Sequence, residues 1–301
     1  MTASNPPRDE LPPAAGDPPA AGPRLDSTAH IMNSISTELA DRLAVVPLRG
    51  RRRPAPPPAL VLVAHGSRDP RALSTVTALM DRVRAARPGL AVRLGHIELN
   101  EPLLPDTLAA LGDGDAVLVP LLLSPGHHVK RDIPETAAAA AARTRVAAPL
   151  GPHALLVETL HDRLTEAGWP GRPGAAARRT SAVVLAAAGS RDPDSAAGTR
   201  RTARLLADRL GVPVVPAYAS AAAPTVPEAL RALAARGRHR VAVASCFTAP
   251  GRFATQCAEA APWIASAPLG AHPAMARLVL HRYDEALTTV RPTRHPTLAS
   301  A

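Results

Sequence analysis

AVLVPLLLSPGHHVKRDIP, residues 116–134, is the stretch on which the reading of this chain turns. It opens with eight consecutive apolar residues, Ala116–Leu123, the length and character of a strand buried on both faces. Ser124-Pro125-Gly126 cannot continue a central strand, so the chain must turn there. His127, His128 and Lys130, the only lysine in the sequence, follow at once. Asp132 is then expected to cap a helix through Ile133–Arg143, with Pro134 accommodated in its first turn. Open α/β sheets place ligand chemistry where a buried parallel strand runs into a polar loop. This loop is therefore expected to carry the function.

Upstream, LVLVA (Leu60–Ala64) repeats the pattern of a buried strand, and HGSRDP (His65–Pro70) is the turn after it. Ala72–Ala86 reads as a helix closed by Pro88-Gly89, and Ala91–Leu99 as an alternating strand. A further helix is expected from Glu101-Pro102 to about Leu111, and Gly112–Asp115 turns into the central strand. Downstream, Val146–Pro149 reads as a fourth strand and Ala154–Ala167 as a helix. Regular alternation of strand and helix argues for a parallel sheet covered on both faces.

After Gly168–Thr180 the pattern starts again. AHGSRDP (Ala64–Pro70) returns 123 residues later as AAGSRDP (Ala187–Pro193). Pro125-Gly126 returns 125 residues later as Pro250-Gly251, and PLGPH (Pro149–His153) returns after 119 as PLGAH (Pro268–His272). Matches in the same order at nearly constant offset mean an internal duplication. The expected fold is α/β, with two similar lobes, each a small parallel sheet flanked by helices, and a cleft between them. The boundaries read from composition are a disordered Pro/Arg-rich tail at 1–58, a first lobe at 59–167, a linker at 168–180, a second lobe at 181–290 and a tail at 291–301. Within the first tail, Ile31, Ile35, Leu39 and Leu43 are spaced for a short helix, and the arginines at 49 and 51–53 read as a solvated linker.

A net charge of +10 over 301 residues invites a nucleic-acid reading. Aromatic residues are only 2%, too few for base-stacking platforms, and an anionic small molecule uses the same positive charge. Cys246 and Cys257 form no CxxC pair or disulfide framework. No apolar run approaches the roughly 20 residues of a membrane span, and no signal peptide is legible. A soluble cytoplasmic protein without nucleic-acid or membrane partners is the expectation.

The two copies differ where chemistry would sit. His65 aligns with Ala188, Glu98 and Glu101 with Ser220 and Ala223, and His127-His128 with Arg252-Phe253. Backbone-shaping residues persist in both, as in Gly66/Gly189 and Pro102/Pro224. His65 follows the first predicted strand, Glu98 ends the second and His128 follows the third, so a parallel sheet would gather them along one edge. Two imidazoles and a carboxylate suit a divalent first-row metal with open positions.

HGSRDP, HIELNEP (His96–Pro102) and VPLLLSPGHHVKRDIP (Val119–Pro134), in that order, resemble the class II tetrapyrrole chelatases, specifically the sirohydrochlorin chelatases, in a two-lobed long form with a degenerate second lobe. The resemblance runs from Leu60 to about Leu287 and implies a macrocycle held between the lobes of a monomer. It implies a metal-binding and catalytic set of His65, Glu98 and His128. His128 is selected over His127 because the family's second histidine lies four residues before the aspartate of the DIP segment. His96 and His127 are read as exposed loop imidazoles. The implied substrates are a sirohydrochlorin-type tetrapyrrole and a divalent metal, Co²⁺ or Fe²⁺ with Ni²⁺ also compatible, and no organic cofactor is expected. Arg68, Lys130 and Arg131 are candidate anchors for the substrate's carboxylates. The activity implied is that of a lyase, a metal chelatase serving cobalamin or siroheme synthesis. A non-catalytic metal or tetrapyrrole carrier on the same fold is the alternative.

Overall fold

The computed structural model describes residues 56–171 and 174–289, with residues 32, 35–39 and 42 from the preceding stretch. The chain divides into two units at Pro56/Pro57. In the first unit the described residues between 32 and 42 are helical and exposed, and Arg42 pairs with Glu38 at 3.0 Å. Apart from residues 56–58, the rest of the sequence-read tails, including the arginines at 49 and 51–53, lies outside the described residues.

In the second unit the first sheet is built from β1 (Ala59–Ala64), β2 (Val92–His96), β3 (Asp115–Pro120) and β4 (Arg143–Val146) in the order β2-β1-β3-β4. The second contains β5 (Ser181–Ala187), β6 (Val214–Tyr218), β7 (Arg240–Ser245) and β8 (Ile264–Ala265) in the matching order β6-β5-β7-β8. Every pairing is parallel, with Leu62 opposite Leu94 on one side and Val119 on the other. All six residues of β1 are buried, as a strand covered on both faces requires.

Alternate residues of the central strands feed different cores. Leu60 and Leu62 share one apolar cluster with Val183 and Leu185, so this layer lies between the two sheets. Val61 and Val63 face a core private to the first lobe, with Leu104, Leu108 and Ile133. Val184 and Ala186 face the equivalent core of the second.

The helices are α1 (Pro70–Ala86), α2 (Leu104–Ala109), α3 (Ile133–Ala139), α4 (Ala154–Glu166), α5 (Ala175–Thr180), α6 (Pro193–Leu210), α7 (Val226–Ala234), α8 (Arg252–Glu259) and α9 (Pro273–Thr288). In α1 the buried residues Ala72, Val76, Leu79 and Val83 recur at helical spacing and form one apolar stripe. The final helix of each repeat lies on the other repeat's sheet: α4 packs on β7, and α9 packs on β3 and α1. Tyr283 of α9 donates to the carbonyl of Pro58 at 2.6 Å, Arg87 binds Asp284 at 2.6 Å, and Arg145 donates to the carbonyl of Leu287 at 3.0 Å. Among the described residues no helix is long and apolar enough to cross a membrane, and both cysteines are free and buried.

Three expectations near the central loop are corrected. The strand ends at Pro120, although the Leu121 amide still reaches the carbonyl of Val63 at 2.8 Å. The fourth strand begins at Arg143 rather than Val146, because Arg143 lies opposite Asp115 and binds it at 2.8 Å. Asp132 does not cap a helix from outside. Its backbone is already helical, inside a π-helical turn at His128–Asp132 that runs into α3, and its carboxylate turns back onto the histidines.

Candidate metal centre

The strand order brings the sequence-selected residues together. β1 lies between β2 and β3, so His65, one residue beyond β1, sits between the loops carrying Glu98 and His128. This reversal of direction at a central strand is where parallel sheets open a crevice at their carboxyl ends. The His65 and His128 rings meet edge to face with centroids 4.8 Å apart, and His65 Nδ1 lies 3.5 Å from Glu98 Oε1.

Gly66 makes the first junction possible. Its φ is +102°, and a Cβ there would come within 1.8 Å of the Glu98 carbonyl oxygen, so no other residue fits without backbone movement. Gly189 repeats the arrangement against Ser220 at 1.9 Å, which pairs Glu98 with Ser220 in three dimensions as in sequence. Asn100 fixes the loop by accepting from the Ser67 amide at 2.7 Å.

Asp132 joins the candidate site, a placement that sequence reading did not identify. Its Oδ2 lies 2.5 Å from His128 Nδ1 and its Oδ1 lies 3.2 Å from His127 Nε2. An ionised carboxylate only accepts, so His128 carries its proton on Nδ1 and presents the Nε2 lone pair. His65 Nδ1 faces two acceptors, Gly66 O at 3.3 Å and Glu98, and the same reasoning leaves its Nε2 free. The recoverable signal was the His128/Asp132 separation of four residues, which faces two side chains on one side of a helix. π-helical turns of this kind recur at functional sites.

His127 is well exposed, as expected, but shares Asp132 with its neighbour. His96 is not an exposed loop imidazole. It is 1% exposed and its Nδ1 is 3.2 Å from the carbonyl of Pro102, because it is the last residue of β2 and points into the fold. Among the described residues, no three His, Cys, Asp or Glu side chains converge tightly enough to hold an ion. His65 and His128 come nearest to a shared focus, with Glu98 beside His65.

Two adjoining cavities of about 410 and 430 Å³ flank His65 and run between the lobes. Both are bounded on the far side by Ala188 and Phe253, the second-lobe counterparts of His65 and His128. Leu73 and Leu99, which are 39% and 53% exposed, give the first cavity an apolar floor open to solvent. Cys246 borders the second, but burial pushes its thiol up to about 12 and keeps it protonated, unsuited to metal binding.

Of the proposed anchors, Arg68 lines the first cavity and Arg131 is exposed on the central turn. Lys130 instead binds Asp192 at 2.7 Å and Asp194 at 2.8 Å, both on the second lobe. Arg252 lines the cavity with Arg68 and lies over the Phe253 ring at 5.0 Å, a cation that the sequence reading left unused.

The chain is similar to a sirohydrochlorin cobaltochelatase of Methanococcus maripaludis, 39% identical over 80 residues that make up 26% of this chain and 56% of the relative. It is 29% identical over 179 residues to a sirohydrochlorin ferrochelatase of Bacillus subtilis, covering 56% of this chain and 66% of that protein. The chain thus spans between 56% and 66% of the length of these curated relatives. The structure of SirB from Bacillus subtilis with Fe³⁺ superposes with a TM-score of 0.62 at 23% identity, over 76% of this chain and 95% of that one, and shares the fold. The family model for CbiX matches residues 59–167 and then 182–286. Matched twice by one family, across both of the repeats that form its two sheets, the chain belongs to the CbiX family.

Proposed function

We propose that this protein is a sirohydrochlorin chelatase, a lyase-class enzyme that inserts Co²⁺ or Fe²⁺ into the tetrapyrrole. The observation that carries the reading is the meeting of His65 and His128 at 4.8 Å, with Glu98 beside them, at the edge of a cleft whose opposite wall lacks all three groups. One ion enters a macrocycle through one face, so one set of ligands suffices.

Insertion exchanges two pyrrole N–H protons for one divalent ion. The Nε2 atoms of His65 and His128 supply neutral, intermediate-strength ligands that hold the ion loosely enough to release it. As it transfers, an imidazole freed from the ion takes one pyrrole proton, and Glu98 takes the other or passes it to water. Asp132 keeps the Nδ1 proton of His128 in place, as carboxylates commonly do for metal-ligating imidazoles. Leu99, Leu73 and Phe253 supply apolar contact for the ring, while Arg68 and Arg252, which line the same cavity, meet its carboxylates. Both walls come from one chain, so a monomer is sufficient.

The test is anaerobic mixing of the purified protein with sirohydrochlorin and either Co²⁺ or Fe²⁺, followed by the macrocycle's absorption spectrum. The wild type should insert metal faster than the buffer control, and His65→Ala or His128→Ala should reduce the rate at least about 100-fold while the protein stays folded. Tight binding of the macrocycle with no insertion above background would replace the enzyme by a carrier. The ratio of the two rates gives the site's intrinsic preference between the metals.

A further inference from the structure

We infer that Lys130 is a positioning residue, a latch by which the second lobe holds the turn that carries His128. The inference rests on the chelatase reading for its kinetic consequence and on geometry for its structural one. Lys130 lies in the same π-helical turn as His128, two residues away, and its ammonium spans to Asp192 and Asp194 at the start of α6. At the other end of the loop, Ser124 Oγ lies 2.8 Å from Ser195 Oγ, also on α6. Thr248 of the second lobe donates to the carbonyl of Leu121 at 2.9 Å. The segment between β3 and α3 is therefore tied to the second lobe before and after the histidines.

The repeat shows that this contact is specific to one side. Asp69, the first-lobe counterpart of Asp192, is neutralised by its own Arg71 at 2.7 Å. The position equivalent to Arg71 is Asp194, so the second lobe presents two carboxylates where the first presents a closed pair. The position equivalent to Lys130 is Thr255. The lysine and its two acceptors thus occur once, facing each other across the cleft beside the candidate ligands. Hydrogen bonds from Lys130 hold Asp192 below the usual carboxylate range, and those to both aspartates raise the lysine. Lys130 is 44% exposed, with Asp192 and Asp194 at 17% and 67%, and ion pairs of a lysine this exposed contribute little net stability. What the pair contributes is the location of the turn. The second lobe, stripped of ligands, keeps a catalytic use by placing His128.

The experiment compares wild type, Lys130→Met, Lys130→Arg and Asp194→Asn in two assays. In the first, the rate at which diethyl pyrocarbonate modifies His128 is read by mass spectrometry on protein alone. In the second, kcat and KM for sirohydrochlorin are measured anaerobically. A turn released from its latch by about 1 Å should cost Lys130→Met about 10- to 100-fold in kcat with KM nearly unchanged. The modification rate of His128 should rise several-fold while the thermal midpoint barely moves. Lys130→Arg, which keeps the charge, should recover most of both readouts, and Asp194→Asn should fall between. Unchanged kcat and unchanged His128 reactivity in Lys130→Met overturn the latch. A rise in KM at constant kcat also overturns it, and makes Lys130 an anchor for substrate carboxylates. If the wild type itself does not chelate, the proposed function fails, and the reactivity of His128 alone then decides the latch.

Discussion

Gly66 and Asp132 show how much of the candidate site is set by residues that hold others in place. Gly66 lets the chain turn from β1 past the Glu98 carbonyl, and Gly189 does the same in a lobe with no ligands. Gly66→Ala and Gly189→Ala should therefore destabilise the fold to a similar degree, by about 3 kcal/mol or more, since each combines left-handed backbone with a backbone clash. Urea unfolding would measure it, and a Gly189→Ala variant with an unshifted midpoint would show that the second-lobe turn relaxes. Asp132 acts through His128. Asp132→Asn keeps the shape but removes the charge that fixes the Nδ1 proton, and should lower chelation about 10- to 100-fold with little change in melting temperature. Activity within twofold of wild type would leave His128 oriented by packing alone.

At the scale of elements, the repeated PLGPH and PLGAH motifs acquire a physical meaning. His153 begins α4 and His272 begins α9, and each accepts a helix amide on Nδ1, from Leu155 at 3.1 Å and from Ala274 at 3.2 Å. Such a cap works only while the imidazole is neutral. Burial, then the charges of Arg282 and His281, hold His153 below the ordinary imidazole value, and burial with Arg163 does the same for His272. The unfolded chain takes up these protons first, so stability falls as pH drops below about 6.5 and goes on falling toward the lowered native values. The thermal midpoint should fall between pH 7.5 and pH 5.5. In the His153→Asn, His272→Asn double variant, which keeps both caps without a titrating group, the fall should be much shallower. An identical slope in both proteins would assign the acid sensitivity to other groups.

For the whole molecule, the exchange of α4 and α9 means that neither repeat carries the whole cover for its own sheet. Met275, Leu278 and Val279 of α9 are fully buried, and a fragment ending at residue 171 would expose the surface they cover. Fragment 57–171 alone should lack a cooperative unfolding transition. Co-expressed with fragment 174–289 it should purify as a one-to-one complex, checked by size-exclusion chromatography and circular dichroism. A cooperatively folded, monomeric 57–171 fragment would show that the exchanged helix is dispensable.

The order of strands and helices and the duplication were legible in the sequence, because buried runs and turn residues are local properties of the chain. The mismatch between copies pointed to His65, Glu98 and the His127-His128 pair as candidates, and the choice of His128 came from the family resemblance. The edge strand was misplaced because Arg143–Val146, polar at three of its four positions, carries no buried-strand signal. Tertiary structure alone decided the rest. Hydrophobic periodicity states that α4 and α9 bury a face, but not that each buries it on the other repeat. Likewise, Asp132 read as a cap and Lys130 as an anchor for substrate carboxylates, since a charged group's partner depends on which loops the strand order makes neighbours. Placing β1 between β2 and β3 is what turned three distant residues into one site.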